Sequence, residues 1–292
     1  MRLEAVNRGS GVWIYNVSDF SLQHIFECGQ AFRWIQDKDG YTGIAGDKVI
    51  HASYDEQEQA LILDNCTLED YCNNWKHYFD LNRDYGSIKE ELSSDNVMKE
   101  AVRHGWGIRV LNQDPWETLI SFIISANNNI KRIQGIIEKL SVKYGKKIYW
   151  KGKHYHTFPT PESLAYAREE DLKACGCGYR GPYIQKTARM VADGLISPYQ
   201  LKELPYEEAH KALLRCSGVG DKVADCILLY SMEKTEAFPV DVWVKRVMEY
   251  FYAGQPTPAK QIKSIAKKKF GKYAGLAQQY LFYYAREKQI GK

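Results

Sequence analysis

The sequence predicts an α+β protein in two parts, an N-terminal antiparallel sheet domain with accompanying helices over residues 1–105 and an all-helical domain over residues 106–292. Three observations carry this expectation. From Val12 to about Leu63, short β-branched and aromatic segments alternate with turn signals, the pattern of hairpin-connected strands. Beyond Gly105 strand signals nearly vanish. In their place stand apolar i, i+4 repeats opened by capping residues, which read as helices. A chain of 292 residues exceeds one typical domain, so two packed units with sizeable cores are expected.

Taken in order, the segments GVWIYNV, AFRWIQ, YTGIAG, KVIHASY and ALILDN supply the strands, with turns at Asp39-Gly40 and Gly46-Asp47. LEDYCNNWKHYFDL and the stretch from Asp84 to Arg103 read as helical. Asp114-Pro115-Trp116-Glu117 is a strong helix start, with Asp as N-cap, Pro at the first position and Glu closing a capping box. It launches the apolar run Leu119, Ile120, Phe122, Ile123, Ile124, which ends at Asn127-Asn128-Asn129. Further helices are expected at 130–144, 161–174, 182–194, 206–215, 222–232, 241–253, 258–269 and 273–287. No repeat, low-complexity tract or long linker interrupts them.

Composition narrows the partners. An apolar content of 45% excludes wholesale disorder, and a net charge of +4 requires any nucleic-acid surface to be local. Seven cysteines without a regular framework point to reduced thiols. The N-terminus lacks the apolar region of a signal peptide, and no run approaches eighteen apolar residues. The expectation is a soluble, monomeric, intracellular protein with no membrane association, cytoplasmic or beside chromosomal DNA. His154-x-His156 and Cys175-x-Cys177 lack partners at zinc spacing, so no metal site is expected there.

Chemistry concentrates in Cys216–Arg246. Gly218-Val219-Gly220 reads as a tight turn opening onto the helical run Val223, Ala224, Ile227, Leu228, which places Lys222 in a first turn. Unpaired amides there disfavour an ammonium, and one consequence is a lowered lysine pKa and more nucleophilic neutral amine. Phe238-Pro239-Val240-Asp241 precedes another helical run, so Asp241 reads as an N-cap held ionised by the amides it accepts. A lysine in a first turn is otherwise a solvated side chain, and a capping aspartate a plain cap. Together, a poised amine and a fixed carboxylate suit attack at an electron-poor carbon through an oxocarbenium-like state. Displacing a base from a deoxyribose makes that demand.

The helix, glycine hairpin and helix from Glu207 to Met232 resemble the helix-hairpin-helix DNA glycosylase (HhH-GPD) superfamily. Six motifs, ECGQAFRW, SANNNIKRI, GYR, SGVGDKVADC, PVDVW and AQQYLF, resemble in order and spacing the 8-oxoguanine DNA glycosylase/AP lyases, over most of the chain from about Gly11 to Ala285. The resemblance implies a sheet domain similar to one half of a TATA-binding protein and a helix-hairpin-helix glycosylase domain. It implies that Lys222 attacks the sugar C1′ to form a Schiff base allowing β-elimination, with Asp241 stabilising the developing charge. A target base must be extruded and held. Phe282 and Cys226 would stack on its two faces, Gln278 would read its Watson–Crick edge, and the Gly29 carbonyl would accept the N7 hydrogen of 8-oxoguanine.

The same resemblance assigns Asn127, Arg132 and Arg180 to the cytosine left opposite, and Tyr179 to a wedge in the duplex. Gly218, Val219 and Gly220 would bind DNA phosphate through backbone amides. No cofactor is implied beyond a monovalent cation at the hairpin carbonyls. The partner implied is double-stranded DNA carrying 8-oxoguanine paired with cytosine. Two departures stand out: Trp243 occupies the place of a phosphate-contacting histidine, and Ala285 that of its acidic partner. Two alternatives stay open on the residues alone: a monofunctional glycosylase for alkylated bases using activated water, and an inert DNA-structure binder. The run Lys260–Tyr273 could track phosphate or be a solvated helix face.

Overall fold

Alternation places Val12 and Ile14 of one segment and Leu61 and Leu63 of another on a single buried face, and this face organises the N-terminal sheet. The protein is described here by a computed structural model covering residues 3–290. Six antiparallel strands lie in the order β1 (Glu4–Arg8), β2 (Gly11–Tyr15), β6 (Ala60–Asp64), β5 (Lys48–Asp55), β4 (Tyr41–Ala45), β3 (Trp34–Gln36). Its apolar face packs on Phe26, Trp75 and Phe79, with the Phe26 and Trp34 rings stacked 4.2 Å apart.

The sheet has one strand more than the sequence suggested. Strand β1 is short and largely exposed, so it carries no apolar alternation and is defined by its pairing with β2. A helix over Leu22–Glu27, also unexpected, follows an N-cap at Ser21. It leads directly into Gly29.

The helical part departs from expectation in several places. The stretch from Asp84 to Arg103 is two helices, Tyr85–Leu92 and Asn96–His104, because Asp95 caps a new start. The helix expected over 161–174 is likewise two, Pro161–Ala165 and Glu169–Ala174. A two-stranded hairpin, β7 (Lys147–Trp150) and β8 (Lys153–His156), sits where no strand was expected. It turns through Lys151 and Gly152, both with positive φ. At Asp114 the cap forms, with its side chain accepting from the Glu117 amide at 2.8 Å. The box does not close, because Glu117 turns instead toward Arg33, 3.5 Å away.

Packing does not divide at residue 105. Tyr85 and Met98, together with Cys28 and Phe32 from the sheet region, belong to the core of the helical part. Buried Gln30 ties the two regions, donating to the carbonyls of Ile25 and Arg109 and accepting from the Leu111 amide. The Cys28–Gln30 corner is thereby clamped against the helical domain.

Candidate active site

The helix Asp221–Ser231 begins at Gly220, directly after the hairpin. Gly218 has φ +82°, and a Cβ there would lie 2.9 Å from the Cβ of Tyr183, so only glycine allows both the turn and the close approach. Asp225, fully buried in this helix, accepts from the Tyr206 hydroxyl at 2.8 Å and pairs with Lys263. It fixes the helix to its hairpin partner Tyr206–Leu213 and to the helix Ala259–Phe270. Lys222, in the first turn of this helix, lines a cavity together with Cys226 one turn further on.

The residues expected to act on the base converge. Gly29, Lys222, Cys226, Asp241, Gln278 and Phe282 line one small cavity of about 50 Å³. That volume holds a water or two, so admitting a base requires lining side chains such as Phe282 to move. Cys28, Phe122, Tyr230 and Pro239 complete the lining. The sequence did not single these out, since each reads as an ordinary apolar or turn residue. The Lys222 ammonium lies 5.4 Å from the Phe122 ring centroid, and Phe122 and Tyr230 stack 5.4 Å apart beneath it. A larger depression of about 440 Å³, near the sheet and the Asp114 cap, contains none of the expected site residues.

Electrostatics inside the cavity are set by burial. Desolvation pushes the Cys226 thiol up to about 11, against the opposing pull of Lys222, which leaves a neutral sulfur suited to apolar contact. Asp241 does cap its helix, accepting from the Val244 amide at 2.8 Å. The expectation that capping holds its carboxyl low is overturned: burial raises it above the ordinary value, outweighing the Val244 amide and the Lys222 charge. Gln278 is 3% exposed, and its Oε1 is buried without a hydrogen-bond partner. A buried unsatisfied amide oxygen is costly unless something else meets it.

The residues expected to meet the duplex gather at the end of the helix Pro115–Ser125. Asn127 takes a left-handed conformation there, with φ 50°. Tyr179 is 57% exposed, with its hydroxyl donating to the Ala126 carbonyl. Arg180 is buried at 4%, with Nε donating to the Ala126 carbonyl at 3.0 Å and Nη2 to that of Asn127 at 3.0 Å. In this arrangement Arg180 shapes the corner that presents Asn127 instead of donating outward to a base. Arg132 is exposed on the next helix.

Near the hairpin, the Cys216 carbonyl accepts from the Val219 amide, that of Ser217 from the Thr187 hydroxyl and that of Gly220 from the Ala224 amide. On the sheet, Asp37, Asp39 and His51 approach metal-ligand spacing. Lys151 and Lys153 line the same depression and oppose a cation. At the two departures, Ala285 is fully buried and Trp243 carries the Arg246 guanidinium 5.5 Å from its ring centroid.

A glycine hairpin that opens a helix bearing a cavity lysine, followed by a capping aspartate in the same cavity, defines the helix-hairpin-helix base excision repair class. Residues 13–119 match the model of the 8-oxoguanine DNA glycosylase N-terminal domain, and residues 120–272 that of the HhH-GPD superfamily of base excision DNA repair proteins. The N-glycosylase/DNA lyase of Saccharomyces cerevisiae is 32% identical, with 94% of this chain and 85% of that protein aligned. The N-glycosylase/DNA lyase OGG1 of Arabidopsis thaliana is also 32% identical, over 91% of this chain and 77% of that protein. The structure of Clostridium acetobutylicum 8-oxoguanine glycosylase/lyase, bound to double-stranded DNA containing cytosine opposite 8-oxoG, superposes with TM-score 0.95 at 44% identity over 99% of each chain. The chain belongs to the 8-oxoguanine DNA glycosylase family of the HhH-GPD superfamily.

Proposed function

We propose that this protein excises 8-oxoguanine paired with cytosine in duplex DNA and then cleaves the abasic strand. The observation that carries the reading is the buried, unpartnered Gln278 Oε1 in the same cavity as Lys222 and Asp241: a base edge presenting N–H donors would satisfy it. In the reaction, the neutral Lys222 amine forms a bond to C1′ while the N-glycosidic bond breaks and its electron pair leaves with the base, which is then protonated. The ionised Asp241 carboxylate stabilises the positive charge that develops on the sugar. Ring opening gives an iminium between Lys222 and C1′. Loss of a C2′ proton then expels the 3′-phosphate, and water later releases the lysine. The Gly29 carbonyl would accept the N7 hydrogen of the lesion, whereas guanine N7 would face it as a second acceptor, at a cost of roughly 1–3 kcal/mol.

A lysine in the cavity stands against a monofunctional enzyme working through water. Borohydride reduction in the presence of 8-oxoguanine duplex is expected to trap a covalent protein–DNA adduct. Lys222→Gln is expected to abolish both the adduct and base excision while retaining lesion binding. Undiminished single-turnover excision by this variant would refute the mechanism.

A further inference from the structure

We propose that Gln279, a fully buried residue outside the cavity lining, is a positioning residue that sets the discrimination between 8-oxoguanine and guanine by holding the Gly29 carbonyl in place. The proposal rests on the reading of Gly29 given above. The helix Leu22–Glu27 ends with carbonyls that have no intrahelical donor, and side chains from the last helix supply them. Arg286 Nη2 donates to the Glu27 carbonyl at 2.6 Å, and Gln279 Nε2 to that of Cys28 at 2.9 Å. On the far side, Gln113 Nε2 donates to the Gln30 carbonyl at 2.8 Å.

Gly29 therefore lies between two gripped carbonyls, with φ +80°. Glycine is the residue most free to rotate its peptide units, so the direction of its carbonyl is determined by the restraints on its neighbours. The Gln279 amide is itself oriented. The Tyr230 hydroxyl donates to its Oε1 at 2.6 Å, which directs the NH₂ end toward Cys28. Gln278, adjacent on the same helix, turns its amide into the cavity. One helix thus sets the register between both base-reading groups, Gln278 for one edge and the Gly29 carbonyl for the other.

The test uses Lys222→Gln as the background, so that binding is read without excision, and duplexes carrying 8-oxoguanine, guanine or a tetrahydrofuran abasic site opposite cytosine. Loss of one restraining hydrogen bond is expected to lower the ratio of guanine to 8-oxoguanine Kd by about five- to tenfold in Gln279→Met, with abasic-site affinity unchanged. A merely structural role would lower affinity for all three duplexes and keep the ratio. Tyr230→Phe is expected to shift the ratio in the same direction. The double variant is expected to fall no further than Gln279→Met, because both changes break one chain of bonds. A background protein that prefers 8-oxoguanine and keeps its ratio in Gln279→Met overturns the proposal and leaves the Gly29 reading standing. A background protein that binds both bases equally overturns the Gly29 reading, and the proposal with it. Should Gln279→Met fail to fold, Tyr230→Phe decides, and an unchanged ratio there overturns the proposal.

Discussion

Asp241 is pulled in two directions, and their resultant has a kinetic signature. Burial raises its carboxyl, while the Val244 amide and Lys222 favour the ionised form. Because the carboxylate is the working form, its protonation at low pH should stop excision, and the raised value moves that acid limb upward. Asp241→Asn keeps a side chain able to cap but removes the charge, so single-turnover excision is expected to fall by roughly 10²–10³ and to lose the acid limb. A pH–rate profile of the two proteins checks both. Glu117 offers a parallel in stability. Burial pushes it up to about 7 against the opposing Arg33 charge. A carboxyl whose folded pKa lies above its unfolded one binds more protons when folded, so its contribution is full at acid pH and is lost as pH rises through 7. The change amounts to about 3 kcal/mol between the two pKa values. Glu117→Gln should therefore flatten the dependence of Tm on pH between about 5 and 7; an unchanged slope in thermal melts would show that Glu117 does not titrate there.

At the level of elements, the catalytic helix is held by one buried carboxylate. Asp225 joins the helix Asp221–Ser231 to Tyr206 and Lys263, and removing it leaves a hydroxyl and an ammonium without their acceptor. Asp225→Ala is expected to cost about 3 kcal/mol, which for a chain of this size lowers Tm by roughly 6–12 °C. Differential scanning of wild type and variant measures it. The same helix illustrates what the sequence discloses. Gly218, Lys222 and the Asp241 cap were legible because turn and cap chemistry is local, readable within four residues. Strand β1 was not, since its largely exposed residues carry no alternation and it is pairing with β2 that defines it. Phe122, Tyr230 and Gln279 were equally hidden. Each is a buried helix residue, and only tertiary packing brings Phe122 and Tyr230 to the cavity and Gln279 to the Cys28 carbonyl. Glu117 misled because a local box competed with a partner far along the chain, Arg33, and lost.

Over the whole molecule, the net charge of +4 is too small to grip DNA globally, and some of the basic groups already serve the fold. In the run from Lys260, Lys263 pairs with Asp225 and Lys269 with Asp95, leaving Lys260, Lys267, Lys268 and Lys272 exposed. Among described residues no helix is long and apolar enough to cross a membrane. On the proposed function, the opposite strand would meet the corner at Ala126–Asn127, where Tyr179 is exposed and Arg180 internal, with Arg132 exposed on the following helix. This geometry separates two arginines that the sequence treated alike. Arg132, free to present a planar donor fork, can meet the O2 and N3 acceptors of an unpaired cytosine. Such a contact is worth roughly 1–3 kcal/mol of discrimination, so Arg132→Ala is expected to narrow the preference for cytosine over adenine opposite the lesion by about tenfold. Activity on the cytosine-paired duplex should fall less, since Lys222 and Asp241 are untouched. Arg180→Ala instead removes the donors to the Ala126 and Asn127 carbonyls and unfastens the corner, so it should lower excision on every opposite base alike. Single-turnover rates on four duplexes distinguish the two, and an Arg180→Ala protein that loses only its preference for cytosine would place that guanidinium on the base after all.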